Sequence, residues 1–516
     1  MSVLVVGAGP TGLAVACGLR AAGVEVRVVD SATGPAVTSR ALGLQPRGVE
    51  VLARLGALGD LPARSLPICQ VVVSVNGREV GRLAVGRSTR LVRRPGLLVS
   101  QAEIEAELQR RLVELADTSV QWGREVVGLD EDPSGVAVRL ADDETLRTGW
   151  VVGCDGAHSA VRTATRIGFP GVALVERFLL ADVRAELPLP RDSVAVWLRG
   201  EDMLAAFPLP GVDLWRLMAP APSSTGGEAT GDAVLHALTG LLEAHTGYPA
   251  GVVHGAQWTS TFRFHRRLAD AYRRGRVLLA GDAAHIHSPF GGQGLNTGIG
   301  DAENLAWKLA LVTEGRAGTA LLDSYEAERR PAAAEVLSST SSMTRVVLGD
   351  TTAARLVRDR VFVPLLNRPW VQRRIWDKAS QLTLSYRAGP LTSSRHRSLP
   401  WRSRPGDRVP DLVCRREDGS GTQLHAELGP RWALLAAPSP TAQGCLHLAR
   451  GWLGGDRVVL LNPDGQSPRT ALLVRPDAHL AWRGSTGDGL RRWLAGALDP
   501  DRAATPPREP AGRHTR

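Results

Sequence analysis

Residues 1–30 read MSVLVVGAGPTGLAVACGLRAAGVEVRVVD. Val3 to Val6 form an apolar, strand-like run, and Gly7, Gly9 and Gly12 follow at once with the spacing G-x-G-x-x-G. Leu13, Ala16, Leu19 and Arg20 continue a helical pattern up to a stop at Gly23, after which residues 24–29 alternate into Asp30. The unit is strand, turn, helix, strand. The first glycine permits a tight turn, the second lets a diphosphate approach the backbone, and the third lets helix and strand pack closely. The helix N-terminus offers free N–H groups to phosphate charge. Asp30 closes the second strand, where a carboxylate accepts hydrogen bonds from a ribose diol. These residues predict a bound dinucleotide and leave NAD and FAD open, since both use the motif.

Outward from this unit, residues 101–115 carry Ile104, Leu108, Leu112 and Leu115 at helical spacing. From 172 to 264 the pattern changes to short β-prone runs at 193–198, 203–207 and 214–218, with a loop-like stretch at 221–231. This predicts a separate, largely antiparallel sheet layer. Phe207, Trp215 and Met218 on that layer are candidates to line a cavity for a flat aromatic substrate, with core packing the alternative. A parallel type of strand returns at 277–280, followed by a glycine-rich loop and a long helix with Leu295, Ile299, Ala302, Leu305 and Leu309. Residues 332–386 read as mostly helical connections, and a last α/β unit has strands at 433–436, 458–461 and 471–474.

A chain of 516 residues has room for several domains, and 43% hydrophobic with 22% charged residues excludes wholesale disorder. No stretch approaches the roughly 18 apolar residues of a membrane span, and MSVLVVGAG has no basic leader, so a cytoplasmic protein without membrane contact is expected. The net charge of +10 could suggest nucleic acid. Yet Lys308 and Lys378 are the only lysines, and the arginines scatter in pairs such as Arg93-Arg94 and Arg273-Arg274, so no nucleic-acid partner is expected. Cys17, Cys69, Cys154, Cys414 and Cys445 are too spread for a disulfide framework and form no CxxC zinc half-site.

Two later segments narrow the cofactor. Residues 151–162, VVGCDGAHSAVR, run from a strand into an Asp-Gly turn; residues 278–285, LLAGDAAH, lead into SPFGGQGLN at 288–296. With these three ordered motifs the chain resembles the flavin-dependent aromatic monooxygenases of the para-hydroxybenzoate hydroxylase type, and especially the branch that tailors aromatic polyketides. The resemblance implies that Gly7, Gly9, Gly12 and Asp30 hold the ADP half of FAD. It places Asp155 and Gly156, with Arg162 nearby, on an element serving FAD and NADPH, and Gly281 and Asp282 at the ribityl chain. Arg40 and Gln101 match further cofactor contacts, Arg40 beside the flavin ring, and the backbone carbonyl of Pro289 faces the oxygenated flavin. Arg40 and Pro289 are therefore the catalytic candidates, and Phe290 joins Phe207 and Trp215 as a substrate contact.

The last segment also has a physical reading. A reduced flavin carries negative charge over N1 and the C2 carbonyl, and a helix starting near Gly294, with Leu295 and Asn296 in its first turn, offers partial positive charge and N–H donors. Gly291, Gly292 and Gly294 leave space for backbone against a planar ring. His285 and His287 near Asp282 lack a third ligand at metal spacing, so no metal is expected. No second G-x-G-x-x-G follows, which makes NADPH a transient co-substrate.

Residues 405–483 resemble the thioredoxin-like domain appended in phenol-hydroxylase-type members, without its redox CxxC, and a structural or dimer-contact role is expected. The fold expected is α/β: a Rossmann-like FAD-binding domain at 1–171, resumed at 266–390, interrupted by a mainly antiparallel β-sheet substrate domain at 172–265. A thioredoxin-like α/β domain at 391–500 and a disordered tail at 501–516 follow. The resemblance implies that NADPH reduces FAD, dioxygen adds at flavin C4a, and the hydroperoxide delivers one oxygen to an aromatic small molecule. Baeyer–Villiger oxygenation, oxygenative inactivation of an antibiotic and flavin dehydrogenation remain alternatives. A monomer or homodimer is expected.

Overall fold

The computed structural model describes residues 1–36, 42–85, 94–200, 202–221, 230–286, 292–348, 356–357, 360, 363–365, 367–392, 404–464 and 470–498. Val3–Val6 and Val26–Val29 are strands, and Pro10–Ala21 is the helix between them. They sit inside a six-stranded sheet of order Arg273–Arg274, Val277–Leu279, Trp150–Gly153, Val3–Val6, Val26–Val29, Val120–Gln121. The inner strands run parallel and, apart from the half-buried Arg27, are apolar or glycine and buried, as a sheet covered on both faces requires. Helix Gln101–Ala116 packs beside the first helix, where the Cys17 thiol donates to the Leu108 carbonyl at 3.3 Å.

Strand Val253–Leu268 and strand Gly171–Ala185 form the long spine of an eight-stranded sheet, flanked by His285–Ile286 on one side. On the other side follow Leu214–Pro220, Asp202–Pro208, Ser193–Arg199, Gln70–Val75 and Arg78–Ala84. Its pairs are antiparallel except Ser193–Arg199 with Gln70–Val75. Residues 70–84 thus supply two strands to a layer that chain order places after 171. Alternation gives the sheet two apolar faces. Leu179, Leu204 and Leu217 point one way and pack on Val234, Leu238 and Leu242 of helix Gly231–Thr246. That helix was not anticipated; Thr230 caps it by accepting from the Ala233 N–H at 3.4 Å.

These elements belong to one compact unit, residues 1–306 with 329–384; the second comprises 307–328 with the chain from 385 onward. In the second, a six-stranded sheet has the order Gly421–Gln423, Val413–Arg415, Val458–Pro463, Trp432–Leu435, Ala471–Val474, Leu480–Gly484. One face packs on helices Pro440–Leu453 and Gly487–Leu498 together with Trp307, Leu311 and Leu321; the other carries Cys414, Leu424 and Leu428. Residues 307–328, expected with the flavin-binding part, are built into this unit.

A charge-balanced network lies in its interior. Lys308 Nζ donates to Glu328 Oε2 at 2.8 Å, and the Arg475 guanidinium reaches both Glu328 oxygens at 2.7 and 2.9 Å and also binds Asp477. Trp307 and Tyr386 rings lie 5.0 and 5.3 Å from that guanidinium. Burial pulls the Lys308 pKa down to about 8. Burial would raise Glu328, but Arg475 and Lys308 together hold it at about 2. Among the described residues no helix is long and apolar enough to cross a membrane.

Candidate active site

Strand register sets the site. Val6 lies opposite both Val29 and Gly153, and Gly153 lies opposite Leu279. The chain therefore leaves one edge of the sheet at four neighbouring points: Asp30, Gly7, Cys154-Asp155 and Ala280-Gly281-Asp282. This is the carboxyl edge of the parallel strands, where open α/β sheets bind ligands. The turns interlock. Gly7 has φ +103°, a Cβ there would collide with the Cys154 carbonyl, and a Cβ on Gly12 would fall on the Gly7 carbonyl oxygen. Gly9 differs: a Cβ would meet nothing within 4 Å, and no side chain caps the helix that starts there. Open space thus meets unsatisfied N–H groups. Asp30 is oriented by the N–H groups of Ala8 and Ala32, at 2.6 and 2.8 Å, and each oxygen keeps a lone pair for a ribose hydroxyl.

Asp155 turns its carboxylate onto its own chain, accepting from Ser159 Oγ at 2.6 Å and the Val161 N–H at 3.0 Å to hold the start of helix Ala160–Ala164. Arg162 is buried over the Phe169 ring and donates to the Ala157 and Ala283 carbonyls, both at 2.9 Å, so it ties the second turn to the third. At Gly281, φ is +62° and a Cβ would lie 2.6 Å from Thr11 Oγ1 on the first helix. Beneath it the Gly281 N–H donates to Asp301, whose oxygens also bind His285 Nε2 and Arg329 Nε, each at 2.7 Å. Burial would raise the Asp301 pKa; Arg329 and His285 hold it below the usual carboxylate range. Among the described residues no group of three His, Cys, Asp or Glu could hold a metal.

Asp282 is exposed, and among the described residues its carboxylate has no hydrogen-bond partner. Although open to solvent it is ringed by protein: desolvation pushes its pKa up, His285 opposes, and Asp301 adds to the rise. Gly292, at φ +59°, precedes helix Gly294–Thr313, and Leu295 is half-buried in its first turn. Asn296 is spent on positioning: Oδ1 accepts from the Gln45 N–H and Nδ2 donates to the Gly292 carbonyl, both at 2.8 Å. Gln101 opens its helix and donates to Glu105 at 2.7 Å. Glu105, which the motif reading missed, is raised by burial, with Gln101 opposing and Asp30 adding. Arg40, His287, Pro289, Phe290 and Gly291 lie outside the described residues.

The sheet requires one correction. Phe207 and Met218 share the face opposite helix Gly231–Thr246, joined by Phe178, Trp258 and Phe262. Trp215 lies on the helix-covered face, 1% exposed, with the Arg191 guanidinium 4.6 Å from its ring. Residues 215 and 218 stand an odd number apart on one strand, so alternation sends them to opposite faces. Trp258 and Phe262 were legible by the same rule, at even spacing, and were passed over.

A family model described as FAD binding domain matches residues 1–340, and one described as aromatic-ring hydroxylase, C-terminal, matches 402–500. A 6-methylpretetramide 4-monooxygenase of Streptomyces rimosus is 34% identical over 514 residues, covering 93% of this chain and 90% of its own. A rifampicin monooxygenase of Streptomyces venezuelae is 36% identical over 489 residues, covering 93% and 95%. The solved ternary complex of aklavinone-11 hydroxylase with FAD and aklavinone matches with a TM-score of 0.80 at 25% identity, over 96% of this chain and 99% of that one. Fold and turns define a flavin-dependent monooxygenase. The chain belongs to the FAD-binding aromatic-ring hydroxylase family. Its residues fit FAD: the open space at Gly9 before a helix without a side-chain cap suits a diphosphate, and Asp282 carries a carboxylate with no hydrogen-bond partner among the described residues.

Proposed function

We propose that this enzyme uses NADPH and dioxygen to hydroxylate a flat polycyclic phenol of polyketide type, held on the sheet face of Phe207, Met218, Trp258 and Phe262. The observation that carries the reading is that this face is apolar and lies opposite the one sealed by helix Gly231–Thr246, in the same compact unit as the four turns. The similarity to enzymes named for 6-methylpretetramide and aklavinone supports the substrate class.

Bound FAD supplies the redox and oxygen-activating chemistry. The N-terminus of helix Pro10–Ala21 receives the diphosphate, and Asp30 and Asp282 accept from cofactor hydroxyls. The helix at Gly294 directs partial positive charge toward the ring. The aromatic side chains of the sheet face orient a flat substrate and keep water from the reacting atoms. By resemblance, Arg40 and the Pro289 carbonyl flank the ring and Phe290 touches substrate. NADPH visits without a dinucleotide domain of its own, and residues 391–500 are a thioredoxin-like domain in a structural or dimer-contact role.

The test is a visible spectrum of the purified protein, then NADPH and oxygen consumption against a panel of polycyclic phenols with mass analysis. Stimulated consumption of both, with a product heavier by one oxygen atom and its ring carbonyls intact, is expected. A colourless protein that refuses FAD overturns the cofactor assignment, a lactone replaces hydroxylation with Baeyer–Villiger chemistry, and turnover without oxygen uptake replaces it with dehydrogenation. The similarity to rifampicin monooxygenase favours a second reading, oxygenative inactivation of an antibiotic, detected as lost potency in the same reaction mixtures.

A further inference from the structure

Strand pairing sets four residues in one row across the apolar sheet face: Phe207 opposite Arg216, Arg216 opposite Asp182, and Asp182 opposite Trp258. The neighbouring row is Ala205, Met218, Leu180 and Ser260. In this row of described residues an ion pair crosses the apolar face with an aromatic residue at each end. Arg216 donates through Nε and a terminal nitrogen to the two Asp182 oxygens at 2.7 and 2.8 Å, and its guanidinium lies 5.7 Å from the Trp258 ring. The Arg216 side chain is 5% exposed and that of Asp182 17%, so the open edge of the pair is the carboxylate.

A buried ion pair adds little stability over apolar residues of equal size, so a pair at this place calls for a role beyond holding strands together. An arginine alone on such a face would capture a carboxylate through its planar fork. Here Asp182 already fills that fork and presents negative charge to anything entering.

We propose that Asp182 and Arg216 form a charge-balanced specificity element that admits neutral phenolic polycycles and rejects aromatic carboxylates. The inference rests on the reading that substrate occupies this face. A phenolic O–H donates to the exposed edge of Asp182 while its ring lies against Phe207 and Trp258. A carboxylate in the same place meets like charge in a desolvated setting, and repulsion of that kind is how binding sites exclude competitors.

The test uses the FAD-loaded full chain and a matched ligand pair, a neutral polycyclic phenol and its carboxylic acid analogue. Binding is read as perturbation of the flavin absorbance, and turnover as stimulated NADPH oxidation. Asp182→Asn, isosteric and unable to balance Arg216, is expected to weaken the phenol and strengthen the acid, each on the order of tenfold. In the double variant Asp182→Asn with Arg216→Gln, which carries no charge, the preference for the phenol falls toward unity. If either variant, with normal flavin content, keeps the wild-type ratio of the two ligands, the proposal is overturned. If no phenol perturbs the wild-type flavin, the reading of the face itself fails, and this inference with it.

Discussion

At Gly12 a methyl group would occupy the place of the Gly7 carbonyl oxygen, whereas at Asp282 an exposed carboxylate touches no described partner. The glycine is demanded by the protein's own backbone, whereas the acid is proposed above to accept from cofactor hydroxyls. Asp282→Ala is therefore expected to leave the thermal midpoint of the flavin-free protein unchanged while weakening FAD by roughly tenfold to a hundredfold, the range for a hydrogen bond to a charged group. A fluorescence titration of FAD measures it, and an unchanged Kd refutes the role of Asp282. The glycine trio and Asp30 were readable in sequence because spacing alone encodes a tight turn after a strand. The work done by Asp155 and Asn296 was not, since Asp155 binds the Ser159 hydroxyl and the Val161 N–H, Asn296 binds backbone at Gln45 and Gly292, and a motif records residue type, never partner.

Inside the second unit Lys308 and Glu328 meet Arg475 and Asp477, which follow strand Ala471–Val474. Glu328→Gln leaves two buried cations facing a single carboxylate, and breaking such a network costs about 3–5 kcal/mol. The Glu328 pKa is depressed in the folded state, to about 2 from an ordinary value of 4.5. Its contribution is present above the ordinary value and is lost as pH falls through the folded one. The variant should thus lose most stability at neutral pH, and the difference from wild type should narrow in acid; equal deficits at both, in thermal melts of the second unit, would contradict this. Strand periods announced most of the elements. Helix Gly231–Thr246 escaped because its Val234, Leu238 and Leu242 lie in a stretch bracketed by strands. Trp215 was misplaced because residue type was weighed above parity.

Chain order conceals which segments share a core. Residues 70–84 cross into a sheet that otherwise starts at Gly171, and residues 307–328 join the second unit although they precede it by about sixty positions in the chain. A chain ending at Leu384 would strip the sheet and helices from Trp307, Leu311 and Leu321, which they bury. Such a chain is expected to be insoluble or to bind a hydrophobic dye strongly, whereas a soluble, flavin-retaining product would show that 307–328 needs no partner. Both crossings arise from long-range packing that no local window of sequence contains. Phe207 and Met218 lie on one face of the eight-stranded sheet. Under the proposed function a planar guest resting there would turn its underside to protein and its upper side to the oxidant, so wherever attack creates a tetrahedral carbon, a single mirror-image form of the product should emerge.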